Sequence, residues 1–249
     1  MLCPRSVLIT GANRGIGLEL VRQFLQLETP PKHVFATCRS PGKAEDLHTL
    51  AKSNGAVSVL KLDVSDPDSF QGVREEVEAL LQGSGLNLLI NNAGIISRDD
   101  LSAVTIQKME SLFRTNTIGP LFLAKEFLPL IQKAAKASTG LPMSCTKSAI
   151  INMTSKVGSM DDNRSGGRYP YRISKAALNM VTKNLSVDLK SDDILSVSLH
   201  PGYVKTDMGG PNALITSEQS VQGMINVMAG LDEEKNGLML DYAGKIIPW

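Results

Sequence analysis

A single α/β domain built on a doubly wound parallel sheet of about seven strands is the fold this sequence predicts. Three observations carry the prediction. Seven short apolar runs recur along the chain, rich in Val, Ile and Leu at consecutive positions, as expected of parallel strands covered on both faces. Longer stretches with helical periodicity separate most of them, giving a βαβα rhythm. No repeat or linker divides the 249 residues, so residues 1–249 read as one domain.

The first run, Val7–Thr10, is followed by Ile16, Leu20, Val21, Phe24 and Leu25 on one helical face. His33–Thr37 and Val57–Leu62 are the next two strand candidates, and Ser69–Leu81 is the helix after them. Leu86–Asn91 precedes a long helical stretch, Ala103–Ile131. Lys133–Lys147, rich in Ala, Ser, Thr and Lys, reads as an exposed loop. Ala149–Met153 is the fifth strand candidate. The loop Ser159–Pro170 and the helix Tyr171–Lys190 come after it. Ile194–Leu199 and Leu238–Leu240 close the set, separated by a helix carrying Val221, Met224, Ile225 and Met228. Right-handed crossovers put the loops after the strand C-termini on one edge, where ligands bind. The expected strand order is 3-2-1-4-5-6-7.

Composition excludes several function classes. Lys+Arg is 26 against 25 for Asp+Glu, so no positive field is available for nucleic acid or an anionic membrane surface. The three cysteines form no CxxC pair and the three histidines are scattered, which disfavours a metal site or a disulfide framework. No apolar run reaches the roughly 18 residues of a membrane span. A cytoplasmic protein is the simplest expectation.

Thr10-Gly11-Ala12-Asn13-Arg14-Gly15-Ile16-Gly17 joins the first strand to the first helix. Its glycines permit a tight turn and close approach to a pyrophosphate, and the helix supplies free N–H groups. Asn91-Asn92-Ala93-Gly94 follows the fourth strand, Tyr171-Arg172-Ile173-Ser174-Lys175 opens a helix, and Pro201-Gly202-Tyr203-Val204-Lys205-Thr206 follows the sixth strand. These four motifs, in this order and spanning nearly the whole chain, resemble the classical short-chain dehydrogenases/reductases. The segments around Tyr171 and the terminal Lys245–Trp249 resemble the sniffer-like carbonyl reductase and C-factor subgroup. The resemblance implies a Rossmann-type fold, a bound dinucleotide and a small-molecule carbonyl substrate.

Dinucleotide sites that bind NAD place an acid after the second strand; those that bind NADP place a cation there. The second strand here ends in Cys38-Arg39-Ser40, with no acid, and Arg14 adds a cation within the glycine turn. NADP(H) is therefore the expected cofactor. By resemblance its contacts include Gly11, Asn13, Arg14, Gly15, Ile16, Gly17, Arg39, Asp63, Val64, Asn91, Ala93, Gly94, Tyr171, Lys175, Pro201, Gly202, Val204 and Thr206.

A carbonyl receiving hydride develops charge on oxygen and needs a proton. Of the four tyrosines, only Tyr171 has a lysine four places on, which puts phenol and ammonium on one helix face. A nearby cation stabilises a phenolate and lowers its pKa, which is the expectation for Lys175 beside Tyr171. The resemblance makes Ser155 the hydroxyl that steadies the substrate oxygen, with Thr154 as rival. It makes Asn116 the residue that holds a relay water. Ser155 and Tyr171 are sixteen apart, wider than the family interval, and the loop Ser159–Pro170 absorbs the excess. That loop and Asp207–Ser217 are expected to form a mainly apolar substrate pocket. Gly209-Gly210-Pro211 would supply hinge residues for a lid.

An NADPH-dependent carbonyl reductase is the function expected. The alternatives are an alcohol dehydrogenase working oxidatively and a non-catalytic NADPH sensor. A sensor has no need of the Asn116, Ser155, Tyr171, Lys175 set. The resemblance also admits a homo-oligomer packed through the long helix before Lys133–Lys147.

Overall fold

The computed structural model describes residues 1–249. The seven strands are β1 (Ser6–Thr10), β2 (His33–Cys38), β3 (Val57–Lys61), β4 (Leu88–Asn91), β5 (Ala149–Met153), β6 (Leu195–His200) and β7 (Met239–Asp241). They pair in parallel in the order β3-β2-β1-β4-β5-β6-β7, the order the sequence predicts. The order reverses at β1, so the crevice beyond the C-terminal ends of β1 and β4 lies at a topological switch point. Burial explains why these segments are strands: every residue of β1, β4 and β5 is buried, so the sheet needs apolar side chains on both faces.

Seven α-helices cover the sheet: α1 (Gly15–Leu25), α2 (Glu45–Ser53), α3 (Phe70–Leu81), α4 (Ile106–Phe113), α5 (Gly119–Ala137), α6 (Tyr169–Asp188) and α7 (Ser217–Ala229). One core layer joins α1 and α7 to a face of the sheet through Leu20, Val21, Phe24, Val221 and Met224. The other joins α3 and α5 to the opposite face through Phe70, Val77, Phe127 and Ile131. None of the helices is long and apolar enough to cross a membrane.

Polar residues cross this apolar sheet along one line. Asn91 donates to the Asn152 Oδ1 at 2.8 Å, Asn152 donates to the Thr182 hydroxyl at 2.9 Å, and the Ser198 hydroxyl donates to that same oxygen at 2.8 Å. Asn91 and Asn152 are register partners, as are Asn152 and Ser198.

Three expectations need correction. The stretch Ala103–Ile131 is not one helix: a single π-helical turn, Arg114–Ile118, separates α4 from α5. Lys133–Lys147 is not an exposed loop throughout. Its first five residues complete α5, and Met143, Cys145 and Lys147 are buried. Lys147 tolerates burial because its ammonium donates to the Leu141 carbonyl and to Asp193, both at 2.9 Å. The helix after Ser159–Pro170 begins at Tyr169, because Pro170 fits a first helical turn that needs no N–H there.

Candidate active site

The turn Gly11–Gly17 leaves β1 and enters α1 over the crevice. Gly17 packs against the backbone it follows: a Cβ there would lie 2.2 Å from the Gly11 carbonyl oxygen, so no larger residue fits without displacing the turn. Gly17→Ala is expected to lower stability by about 1–3 kcal/mol, read as a fall in melting temperature. The turn is also tied to β4. Thr10 Oγ1 accepts from the N–H groups of Asn92 and Ala93, while the Asn92 amide donates to the Thr10 carbonyl at 2.8 Å.

A cavity of about 390 Å³ opens where these segments meet. Gly11, Asn13, Arg14, Gly15, Ile16 and Gly17 line it from the turn, and Arg39, Asp63 and Val64 from the ends of β2 and β3. Ala93, Gly94, Tyr171, Lys175, Pro201 and Thr206 complete its inner wall. Arg39 is exposed at the end of β2 and its charge acts on Asp63. Burial raises the Asp63 pKa, but the Ser65 hydroxyl and N–H and the Arg39 guanidinium outweigh it and hold the carboxyl below its ordinary value.

Tyr171 and Lys175 both lie on α6, buried, with the ammonium 5.9 Å from the phenol ring centroid. Lys175 donates to the Met153 carbonyl at 2.7 Å, and burial pushes its pKa down to about 8. Tyr171 departs from expectation: its pKa is raised. Burial dominates, and the opposing influences come from the Ser155 side chain and the charge of Arg168 rather than from Lys175. Ser155 follows β5 and is half-buried, whereas the Thr154 hydroxyl is engaged with Asn179 Oδ1 at 2.6 Å. The segment after Ser155 reaches α6 at Gly158, where a Cβ would come 2.9 Å from the Cβ of Lys175.

Asn116 sits in the π-helical turn behind Gly94. Its Oδ1 accepts from the Ile95 N–H, and its amide donates to the Ile95 carbonyl and the Ser174 hydroxyl, at 2.9, 2.9 and 3.0 Å. The side chain thus clamps the loop after β4 to α6. Asn91 does not reach the cavity; its amide belongs to the sheet interior, and Asn92 is the residue of that motif on the wall. Gly202 and Val204 do not line the cavity, although their neighbours Pro201 and Thr206 do. A side chain at Gly202 would strike Ile215 and Tyr242 at 2.9 Å.

Of the two segments expected to form the substrate pocket, Asp207–Ser217 reaches the rim at Asp207 and Met208, whereas no residue of Ser159–Pro170 lines the cavity. Arg14 forms an ion pair with Asp207, and Arg98 donates to the Met208 carbonyl at 2.9 Å. Both contacts draw the segment after β6 across the cavity.

Residues 5–214 match the short chain dehydrogenase family. The chain belongs to that family. This short-chain dehydrogenase superposes on the carbonyl reductase Sniffer of Drosophila melanogaster with a TM-score of 0.97, at 44% identity, covering 99% of this chain and all of the other. It superposes on the NADPH-bound carbonyl reductase from chicken fatty liver with a TM-score of 0.95, also at 44% identity and over the full length of both. The C-signal of Myxococcus xanthus is 39% identical to this short-chain dehydrogenase over 165 residues, 66% of the chain and 93% of the C-signal.

Proposed function

We propose that this oxidoreductase is an NADPH-dependent carbonyl reductase acting on aldehydes, ketones or quinones. The observation that carries the reading is that Tyr171 and Lys175 line the same cavity as Arg14 and Arg39, with the Ser155 side chain within hydrogen-bond reach of Tyr171. The likeness to two carbonyl reductases supports it. The cavity fits a dinucleotide: the glycine turn leaves room for a pyrophosphate, and no acid opposes a 2′-phosphate at the end of β2. Arg14, Arg39, Asp63, Val64, Ala93, Gly94, Pro201 and Thr206 would hold it.

NADPH, when bound, supplies the hydride. The chain supplies the rest. Ser155 donates a hydrogen bond to the carbonyl oxygen and fixes its position. Tyr171, kept protonated by burial, delivers its phenolic proton to that oxygen as charge builds there. Lys175 remains mostly charged at pH 7 with a pKa of about 8, and its field favours the phenolate left behind. Asn116 serves as a positioning residue, since its amide is occupied by Ile95 and Ser174. Reduction takes up one proton from solvent per turnover and releases an alcohol.

Following NADPH absorbance with a panel of aldehydes, quinones and ketones tests the reading. Oxidation of NADPH with several of them is the expected result; none across the panel overturns it. Cofactor choice is tested separately. Arg39→Asp places a second acid beside Asp63 and removes a charge-assisted contact, so NADPH binding should weaken about 100-fold while NADH binding holds or improves. Fluorescence titration reads both, and tighter NADH than NADPH binding in the unaltered protein would overturn the assignment.

A further inference from the structure

Helix α6 carries Arg172, Lys175 and Asn179 after Tyr171, spaced three and four residues apart and so on one face. All three reach one short segment, the end of β5 and the 3₁₀ turn Lys156–Gly158 that follows Ser155. Lys175 donates to the Met153 carbonyl at 2.7 Å, and Arg172 to the Val157 carbonyl at 3.0 Å. Asn179 touches both sides of Ser155. Its Oδ1 accepts from the Thr154 hydroxyl at 2.6 Å. Its Nδ2 donates to the Met239 sulfur at 3.4 Å and, at the longer distance of 3.5 Å, to the Gly158 carbonyl. Thr154 and Asn179 are both buried, so no water replaces their bond if one partner is lost.

Ser155 depends on this frame. Its backbone is extended and its side chain caps nothing in the turn it opens. The Ser155 carbonyl accepts from the Gly158 N–H at 2.8 Å, which closes that turn. The place of the hydroxyl is therefore set by the backbone on either side, and that backbone is held by α6. An asparagine suits the task because one planar group offers both an acceptor and donors. Leucine offers neither, and aspartate would bring a charge into the interior.

We propose that Asn179 is a positioning residue for carbonyl reduction, acting through Thr154 to hold the Ser155 hydroxyl beside Tyr171. The inference rests on the carbonyl reductase reading above and adds a residue to its machinery. Asn179 does not line the cavity, so its effect on the reaction passes through the segment it holds. Misplacement of a reacting or orienting group by about 1 Å is enough to slow turnover severely.

The test is a double-mutant cycle with Ser155 in the full-length protein, using NADPH and the carbonyl compound of the panel that is reduced fastest. Asn179→Leu and Thr154→Val should each lower kcat by about 10-fold and leave NADPH affinity, read by fluorescence titration, within about twofold. Ser155→Ala should lower kcat by about 100-fold. Adding either change to Ser155→Ala should cost less than about twofold more, because a misplaced hydroxyl and an absent one are equivalent. Thr154→Ser keeps the hydroxyl and should retain most of the rate. Thr154→Val keeps the shape of the side chain, so it carries the test if Asn179→Leu fails to fold. A role in packing alone would slow the protein by the same factor with and without Ser155. That result, an unchanged kcat in Thr154→Val, or a full rate in Ser155→Ala overturns the proposal while reduction by the unaltered protein leaves the carbonyl reductase reading standing. No reduction of any carbonyl in the panel overturns both.

Discussion

Replacing Tyr171 with Phe should lower kcat for carbonyl reduction by about 10²–10⁴-fold, the usual worth of a positioned general acid. The change removes one oxygen and keeps the ring. Because Tyr171 is a buried residue of α6 whose ring forms part of the cavity wall, the ring's packing and the fold should persist. NADPH affinity should stay within about fivefold, since the phosphate and adenosine ends of the cavity are untouched. The loss should therefore fall on kcat and leave cofactor titration almost unchanged. Steady-state kinetics and a fluorescence titration on the same preparation read the two quantities. Retention of most of the rate would mean that Tyr171 is not the donor.

Lys175→Met should separate activity from stability in the opposite sense. The ammonium is buried with a pKa of about 8, below the ordinary lysine value near 10.4. Below pH 8 the folded protein carries a desolvated charge that the unfolded chain carries in water. At about 1.4 kcal/mol per pKa unit this costs the native state roughly 3 kcal/mol. Between pH 8 and about 10.4 the unfolded chain binds more protons, so stability rises with pH and the cost fades. Methionine removes the charge but orphans the Met153 carbonyl. The net expectation is a gain of about 1–3 kcal/mol at pH 7, shrinking toward pH 10, together with weaker NADPH binding and slower turnover. Melting temperature measured across pH 6–10 in both proteins checks the sign. A variant less stable at pH 7 would show that the hydrogen bond to Met153 outweighs desolvation. In the unaltered enzyme, kcat/KM for reduction should fall as pH rises through about 8, where Lys175 loses its charge.

The sheet was legible because its strands are covered on both faces and so read as unbroken apolar runs. Helix α2 was not, since its apolar face is short: Leu47 is its one fully buried residue, with Leu50 and Ala51 half-buried beside it. The π-helical turn at Arg114–Ile118 hides for a related reason: apolar spacing on either side is helical, and one widened turn does not interrupt it. Lys147 is charged in a Ser- and Thr-rich stretch, and its burial rests on the Leu141 carbonyl together with the distant Asp193, a pairing that local spacing does not announce. In the site, the residues that stand out in sequence are those whose roles are local: the glycine turn, and a tyrosine and lysine one helical turn apart. The pairing of Arg14 with Asp207 joins residues 193 positions apart, and no local spacing encodes it. The raised pKa of Tyr171 is likewise a property of burial, which a lysine four residues away does not reveal.

The line of Asn91, Asn152, Thr182 and Ser198 through the sheet bears on how the chain avoids misassembly. Runs such as Leu88-Leu89-Ile90 and Ala149-Ile150-Ile151 are nearly interchangeable with themselves after a shift of two residues, because apolar contact is indifferent to identity. The amides and hydroxyls are not indifferent. Slide β4 by two positions against β5 and Asn91 faces an isoleucine, leaving donors buried without acceptors at about 1–3 kcal/mol each. These side chains act as an alignment key: they add little to the attraction between strands, but they make one frame of assembly much cheaper than its neighbours. Since Thr10 closes β1 with its hydroxyl on Asn92 and Ala93, the frame chosen in the middle of the sheet also fixes where the glycine turn sits over the cavity.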